Sequence, residues 1–169
     1  MGLRQRFAKL VLRLAGWKTR VELPAETKFI IIGAHHTSNW DLPLGLLCLW
    51  AHGMRLSWLA KKEIFRGPLN TFFRSLGGIP VDRSAPRGLT EQVADMFSQS
   101  DRLVLGITPE GTRSRTEYWK TGFYTIAQSA GVPLVFGFAD YPSRTVGFLG
   151  RLVPSGDINA DFWLIAEFY

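Results

Sequence analysis

The chain has few cysteines and histidines and no long apolar run, and these shortages exclude several classes of protein. Cys48 is the single cysteine, so the chain can form neither an internal disulfide nor a multi-cysteine metal site. We expect Cys48 to be a buried, small apolar residue. The longest apolar run, Leu42 to Ala51, has about half the length that a membrane-spanning helix needs. The 169 residues therefore predict one globular domain that meets a membrane only at its surface.

Acidic residues are missing from the first 20 positions, and the basic excess of the chain lies there. The net charge is +6, and the basic residues of this segment are Arg4, Arg6, Lys9, Arg13, Lys18 and Arg20. A nucleic-acid-binding domain more often spreads its basic residues over its surface, so we expect no nucleic-acid partner. A basic segment at one end of the chain favours contact with a membrane surface rich in anionic lipids.

The same segment has the apolar periodicity of a helix. Residues near one face of that helix are Leu3, Phe7, Leu10, Val11, Leu14 and Trp17, and Leu12 interrupts the pattern. A basic amphipathic helix is typical of a segment that lies in the headgroup plane of a membrane. A helix packed on its own domain with a solvated basic face would give a similar pattern. We divide the chain into a membrane-surface helix at 1–20 and a main domain at 21–169.

Short β-rich runs alternate with helical stretches after this segment, which predicts an α/β domain. We expect a single layered domain whose mixed, mostly parallel sheet is flanked by helices and preceded by the N-terminal amphipathic helix. The predicted strands are 29–32, 56–60, 79–81, 103–107 and 134–138, and the predicted helices include 41–51, 121–130 and 157–168. Polar clusters follow three of these strands. Because binding sites in such sheets form at the carboxyl ends of strands, we expect the three clusters to converge on one site.

The first cluster contains a histidine and an aspartate at the junction between a strand and a helix. His36 and Asp41 are five positions apart, so an aspartate near the helix start can fold back onto the imidazole. A carboxylate bonded to one ring nitrogen raises the basicity of the other, and the pair can then act as a general base. Asp41 could equally cap the helix that follows. Ser38, between them, is most simply a turn or capping residue.

The second and third clusters offer groups that bind phosphate. Arg83 follows a strand, and an arginine can bind a phosphate through two hydrogen bonds. A surface pair with Asp82 explains Arg83 equally well. In the third cluster, Arg113 and the backbone N–H groups near Gly111 could hold a phosphate, and Glu110 could orient Arg83 or bind a hydroxyl. An ordinary loop has the same composition.

Taken together, these clusters resemble the motifs of the glycerolipid acyltransferases, the family of 1-acylglycerol-3-phosphate acyltransferases. The segment His36–Asp41 matches the His-x-Ser-x-x-Asp form of the first motif, and Gly78–Arg83 resembles the second. The segment Pro109–Ser114 matches the third motif almost letter for letter, and Val132–Val135 resembles the start of the fourth. The resemblance runs from about residue 28 to residue 138.

The resemblance implies an enzyme that moves a fatty acyl chain from acyl-CoA or acyl carrier protein to a hydroxyl of a lysophospholipid such as 1-acylglycerol-3-phosphate. His36 would be the general base and Asp41 its orienting partner. The implied substrate-binding residues are Ser38, Arg83, Glu110, Gly111, Thr112 and Arg113. The resemblance implies no metal and no cofactor besides the acyl donor. We expect a cytoplasmic enzyme that is peripheral on the inner face of the cell membrane.

Three residues or pairs depart from the family pattern. His35 stands where the family usually has Asn, Thr108 replaces an aromatic residue, and Phe136-Gly137 stand where a Pro usually follows. These departures concern the substrate more than the reaction. One alternative is therefore an acyltransferase for another lysolipid, such as an ornithine lipid. Others are a hydrolase of thioesters or lipids, with water in place of the alcohol, and a non-catalytic membrane-binding module.

Overall fold

The computed structural model describes residues 1–34, 38–82, 88–111 and 118–169, which form an α/β domain around one seven-stranded sheet. Its helices are α1 (Leu3–Leu14), α2 (Asp41–Ala51), α3 (Pro68–Ser75), α4 (Leu89–Ser98), α5 (Gly122–Ala130) and α6 (Ile158–Phe168), with a short 3-10 helix at Lys62–Ile64. Its strands are β1 (Lys18–Val21), β2 (Lys28–Gly33), β3 (Ser57–Lys61), β4 (Gly78–Val81), β5 (Leu103–Ile107), β6 (Leu134–Asp140) and β7 (Thr145–Leu152).

The sheet is mixed and mostly parallel, which confirms the predicted fold class. Its strand order is β1-β7-β6-β2-β5-β3-β4. Strands β6, β2, β5, β3 and β4 are parallel, whereas β7 runs antiparallel to β6 and pairs in parallel with β1. The carboxyl ends of the five parallel strands therefore lie along one edge of the sheet. The segments that follow β2, β4 and β5 leave the sheet at that edge, and so does the turn after β6.

Strand β2 lies between β6 and β5 in the sheet, and its apolar residues are buried on both faces. Successive side chains of a strand point to opposite faces. Phe29 and Ile31 accordingly pack with α1 and α2, while Ile30 and Ile32 pack with α4, α5 and α6. Cys48 lies in the first of these cores, as predicted, and burial raises the pKa of its thiol to about 12.

The predicted helix ends agree with the structure where a local signal marks them. Helix α2 spans the predicted 41–51, and α5 ends at Ala130, before Gly131, whose φ of 62° is left-handed. Helix α6 begins after Asp157, whose carboxylate accepts hydrogen bonds from the backbone N–H groups of residues 159 and 160. Asp161, one turn later, is buried and accepts hydrogen bonds from the backbone and hydroxyl of Ser155 and from the Tyr124 hydroxyl.

Helix α1 is shorter than predicted, and it packs on the domain through a face that the apolar pattern did not indicate. It ends at Leu14 rather than at residue 20, and Lys18–Val21 forms an edge strand instead. The helix packs on α2 through Ala8 and Leu12, and Leu12 is the residue that interrupts the apolar pattern. The exposed apolar stripe of α1 consists of Leu3, Phe7, Leu10 and Leu14. None of the described helices is both long enough and apolar enough to cross a membrane.

Candidate active site

Asp41 is the first residue of α2, and its carboxylate is held by one backbone and one side-chain donor. Its Oδ2 accepts a hydrogen bond from the Ser38 backbone N–H at 2.9 Å, and its Oδ1 accepts one from the Tyr141 hydroxyl at 2.7 Å. The first of these bonds closes the turn between Ser38 and the start of α2. A negative charge at this position is also stabilised by the dipole of the helix. Both oxygens of the Asp41 carboxylate are thus held by hydrogen bonds.

Ser38 has a local role in the turn before α2. Its hydroxyl accepts a hydrogen bond from the Trp40 backbone N–H at 3.1 Å, and its backbone N–H holds Asp41. This is the turn role that its position suggests. Its assignment to substrate binding stays a prediction.

Tyr141 was not found from the sequence, although its hydroxyl contacts Asp41. It lies in the turn that joins β6 to β7, and its ring packs edge-to-face on Trp17 with a centroid separation of 5.3 Å. Partial burial raises the pKa of Tyr141, and the Asp41 carboxylate raises it further, while a hydrogen bond with Ser38 acts in the opposite direction. A signal was available, because Tyr141 follows a parallel strand just as the three predicted clusters do.

The loop after β5 carries Glu110 and Gly111. Glu110 is only 8% exposed. The Gly111 N–H donates to the Thr108 carbonyl at 3.1 Å, and the Lys120 N–H donates to the Pro109 carbonyl at 2.9 Å. Gly111 has a φ of 64°, a left-handed conformation that favours glycine, and a Cβ there would lie 3.1 Å from the Lys120 Nζ. Lys120, which sequence reasoning missed, thereby brings a positive charge to this loop.

Asp82, which follows β4, forms an ion pair with Lys62; the pair with Arg83 stays a prediction, because Arg83 lies outside the described residues. The Lys62 Nζ lies 2.5 Å from the Asp82 Oδ2. The carboxylate of Asp82 raises the pKa of Lys62 through this hydrogen bond and through its charge. Lys62 is therefore engaged with the end of the neighbouring strand.

Asp41 and Gly111 both line a cavity of about 580 Å³, so the structure brings the first and third clusters together. This volume is typical of a ligand site. Strands β3 and β5 pair only at Ser57 with Leu105 and at Trp58 with Gly106. Beyond these pairs the strands separate, and the next residues, Leu59 and Ile107, line the cavity. The remaining wall is mostly apolar and contains Leu42, Gly45, Phe123, Ile126, Gly137 and Phe148.

Four of the predicted site residues, His36, Arg83, Thr112 and Arg113, lie outside the described residues. Within the ranges that the structure describes, no three His, Cys, Asp or Glu side chains are grouped as a metal site would require. His52 lies at the end of α2, where its ring nitrogen is 3.1 Å from the Thr19 hydroxyl.

A profile of the family named Acyltransferase matches residues 18–136. The match spans more than half of the chain and contains the strand ends that surround the cavity. The chain belongs to the acyltransferase family. No curated protein matches this acyltransferase.

A similar solved structure is the crystal structure of the 1-acyl-sn-glycerophosphate (LPA) acyltransferase PlsC from Thermotoga maritima. The two chains are 21% identical and superpose with a TM-score of 0.68, covering 97% of this chain and 73% of that one. At this identity, the likeness shows a shared fold.

The described part of the candidate site combines two chemical environments. Asp41 provides a carboxylate and Lys120 a positive charge at the wall of the cavity, on the edge of the sheet where α/β domains bind ligands. The cavity next to them provides apolar wall with room for a flexible chain. Such a site can hold an apolar chain while its polar end meets the carboxylate.

Proposed function

We propose that this acyltransferase moves a fatty acyl chain from acyl-CoA or acyl carrier protein to the hydroxyl of a lysophospholipid. The observation that carries the proposal is the position of Asp41, held by two donors at the wall of an apolar cavity and five residues after His36. The name of the Thermotoga maritima enzyme makes 1-acylglycerol-3-phosphate the first acceptor to test.

In the proposed reaction, His36 takes the proton of the acceptor hydroxyl while its oxygen attacks the thioester carbonyl carbon. The C–S bond then breaks, an oxygen ester forms, and the imidazolium returns the proton to the departing thiolate. Asp41 stabilises the imidazolium and fixes the tautomer of the ring. No covalent acyl-enzyme is required, because the acceptor oxygen is itself the nucleophile.

The cavity is the proposed site of the acyl chain. Burying each methylene of the chain would contribute about 0.8 kcal/mol. Glycines in the wall, among them Gly45 and Gly137, leave room where side chains would otherwise project. A long acyl chain could therefore be bound mainly through apolar contact, with specificity set by the length of the cavity.

The polar head of the acceptor would lie at the carboxyl edge of the sheet. We assign its phosphate to Arg83, Arg113 and the backbone around Gly111, with Thr112 and Glu110 contributing hydroxyl and carboxylate contacts. Lys120 supports this placement, because its side chain lies against Gly111 and lines the cavity. An arginine-rich site of this kind suits a phosphate group.

Helix α1 is the proposed contact with the membrane. Its exposed stripe of Leu3, Phe7, Leu10 and Leu14 projects away from α2, and Arg6, Lys9 and Arg13 are exposed or partly exposed on the same helix. An apolar stripe beside basic residues binds the headgroup plane of anionic membranes. We accordingly propose a peripheral enzyme on the cytoplasmic face of the cell membrane, with α1 at the lipid surface. The catalytic domain begins before residue 21, because Lys18–Val21 is a strand of its sheet.

The test is to incubate the purified protein with labelled acyl-CoA, or acyl carrier protein, and a panel of lysolipids that includes an ornithine lysolipid. Acylated lipid should form with the wild type, and His36→Ala should reduce its rate by roughly 10²–10⁴-fold or more. His52→Gln is the matched control, because His52 contacts Thr19 and should leave the rate unchanged. Free fatty acid without acylated lipid would indicate a hydrolase. No turnover with either donor would indicate a membrane-binding module.

A further inference from the structure

We propose that Tyr141 is a positioning residue for acyl transfer, whose hydroxyl holds the Asp41 carboxylate in the orientation used by His36 and whose ring is held by Trp17. This inference rests on the proposed function, since it assigns Asp41 to the catalytic pair. It concerns a residue that lies 100 positions from Asp41 in the chain and outside every motif of the sequence.

The two hydrogen bonds on Asp41 restrict the carboxylate in complementary ways. The Ser38 N–H donates to Oδ2 at 2.9 Å, and the Tyr141 hydroxyl donates to Oδ1 at 2.7 Å. Each bond is to a charged acceptor, which makes it shorter and stronger than a neutral one. With one donor on each oxygen, rotation of the carboxylate about its terminal bond would break at least one of them. Loss of the Tyr141 hydroxyl would remove the restraint that this bond places on Oδ1.

The position of Tyr141 is itself defined by neighbouring contacts. The turn is closed by a hydrogen bond from the Arg144 N–H to the Tyr141 carbonyl at 3.2 Å. The Lys18 N–H donates to the Arg144 carbonyl at 2.8 Å, which ties this turn to the start of β1. Trp17, the residue before β1, packs its ring against Tyr141 at an interplanar angle of 86°. The hydroxyl is therefore aimed at Asp41 by a closed turn and an aromatic neighbour.

The exposure of Tyr141 distinguishes positioning from a contribution to the core. Tyr141 is 40% exposed, so water can solvate the Asp41 oxygen when the hydroxyl is removed, and stability is little affected, but a mobile water does not fix the orientation of the carboxylate. Tyr124 provides the contrast, because its hydroxyl donates to the buried Asp161 over the same distance of 2.7 Å. Removing the hydroxyl of Tyr124 should destabilise the fold, whereas removing that of Tyr141 should disturb mainly the geometry of Asp41.

The first experiment compares Tyr141→Phe with Tyr124→Phe in steady-state acyl transfer and thermal unfolding. Tyr141→Phe keeps the ring on Trp17, and we expect kcat to fall roughly 10-fold, the usual effect of losing a hydrogen bond to a charged group, with KM within about twofold. Tyr124→Phe should lower the melting temperature and leave kcat unchanged. An active wild type whose kcat is unaffected by Tyr141→Phe would overturn the inference.

The second experiment tests whether Tyr141 acts through Asp41. If it does, Tyr141→Phe should reduce the rate less than about twofold when introduced into Asp41→Asn, because the group that it positions has already been changed. A full, multiplicative loss in the double variant would show that Tyr141 acts independently of Asp41. That outcome would contradict the positioning role.

The third experiment requires no turnover, so it separates this inference from the proposed function. Protein labelled with ¹³Cζ-tyrosine gives a Tyr141 signal that is assigned by its loss in Tyr141→Phe. Asp41→Asn should lower the pKa of Tyr141, since the carboxylate that raises it is gone. An unchanged pKa would show that the contact is absent and would overturn the inference even in a protein without detectable acyl transfer. A lowered pKa without turnover would retain the contact and reject the proposed reaction.

Discussion

Removing two side chains from the exposed stripe of α1 should detach the protein from anionic vesicles while preserving its fold. Phe7 and Leu10 are 54% and 55% exposed, so about half of each side chain remains to be buried by lipid. Full burial of such a side chain contributes about 1.5–3 kcal/mol. The exposed half is then worth roughly 1 kcal/mol each. Phe7→Ala with Leu10→Ala should weaken vesicle binding by about 2 kcal/mol, or roughly 30-fold.

The fold should tolerate this double change because other residues attach α1 to the domain. Ala8 and Leu12 are buried against α2, and the Gln5 side chain donates to the Ala51 carbonyl at 3.1 Å. None of these contacts involves Phe7 or Leu10. We therefore expect the melting temperature of the double variant to stay close to that of the wild type.

The assay is co-sedimentation with vesicles that contain an anionic lipid, at low and at high salt. High salt should weaken the vesicle binding of the wild type, because it screens the attraction between the anionic lipid and Lys9, Arg13 and the basic residues near them. Trp163→Ala is the matched control, since it removes a side chain that is 68% exposed from α6 instead of α1. Unchanged binding of the double variant, or a larger loss with Trp163→Ala, would refute the assignment of α1 to the membrane.

Three further predictions concern the cavity, the loop after β5 and the C-terminal helix. Gly45→Val should select shorter acyl chains, because Gly45 lines the cavity one turn after the start of α2; each displaced methylene should cost about fourfold in kcat/KM, measured with a chain-length series. Gly111→Ala strains a φ of 64° and crowds Lys120, so acyl transfer should fall; Gly131→Ala, at a φ of 62° with no atom within 4 Å, should affect stability alone. Burial would raise the pKa of Asp161, but its hydrogen bonds hold it below the ordinary value. The ionised carboxylate therefore stabilises the fold above its unfolded-state pKa of about 4, and this stabilisation is lost as pH falls through the lower folded-state pKa. Asp161→Asn should lower the free energy of unfolding at pH 7, measured with urea, and should make that free energy depend less on pH in the acid range.

The elements that were predicted from the sequence carry local signals, and those that were missed depend on distant partners. Strand β1 is an edge strand with the half-polar sequence Lys-Thr-Arg-Val, and it forms only by pairing with β7. Strand β7 contains Gly147 and Gly150, which weaken any strand signal. Glycine is needed at position 147 by the packing of β7 against β1, because a Cβ there would lie 2.1 Å from the Arg20 carbonyl oxygen. No local pattern reports such an approach of two backbones.

The residues of the candidate site show the same difference between local signals in the sequence and contacts with distant partners. The rule that sites form at strand ends placed Asp41 and Gly111 together, and both line one cavity. It could have pointed to Tyr141, which also follows a parallel strand, but the contact of its turn with Asp41 of α2 has no sign in the sequence. The periodicity of α1 likewise indicated its apolar face. It could not indicate that Ala8 and Leu12, rather than this face, would pack on the domain.

Both proposals depend on the first residues of the chain. Helix α1 is the proposed membrane contact, and Trp17, between α1 and β1, packs against Tyr141, which contacts Asp41. Deleting residues 1–20 would remove α1, but it would also remove Trp17 and most of β1, so the contact behind Tyr141 would be lost with the membrane anchor. The Phe7 and Leu10 substitutions avoid this, because they leave Trp17 in place. If both proposals hold, the deletion should impair acyl transfer even to a dissolved short-chain acceptor. The double substitution should impair it only when the acceptor is presented in vesicles.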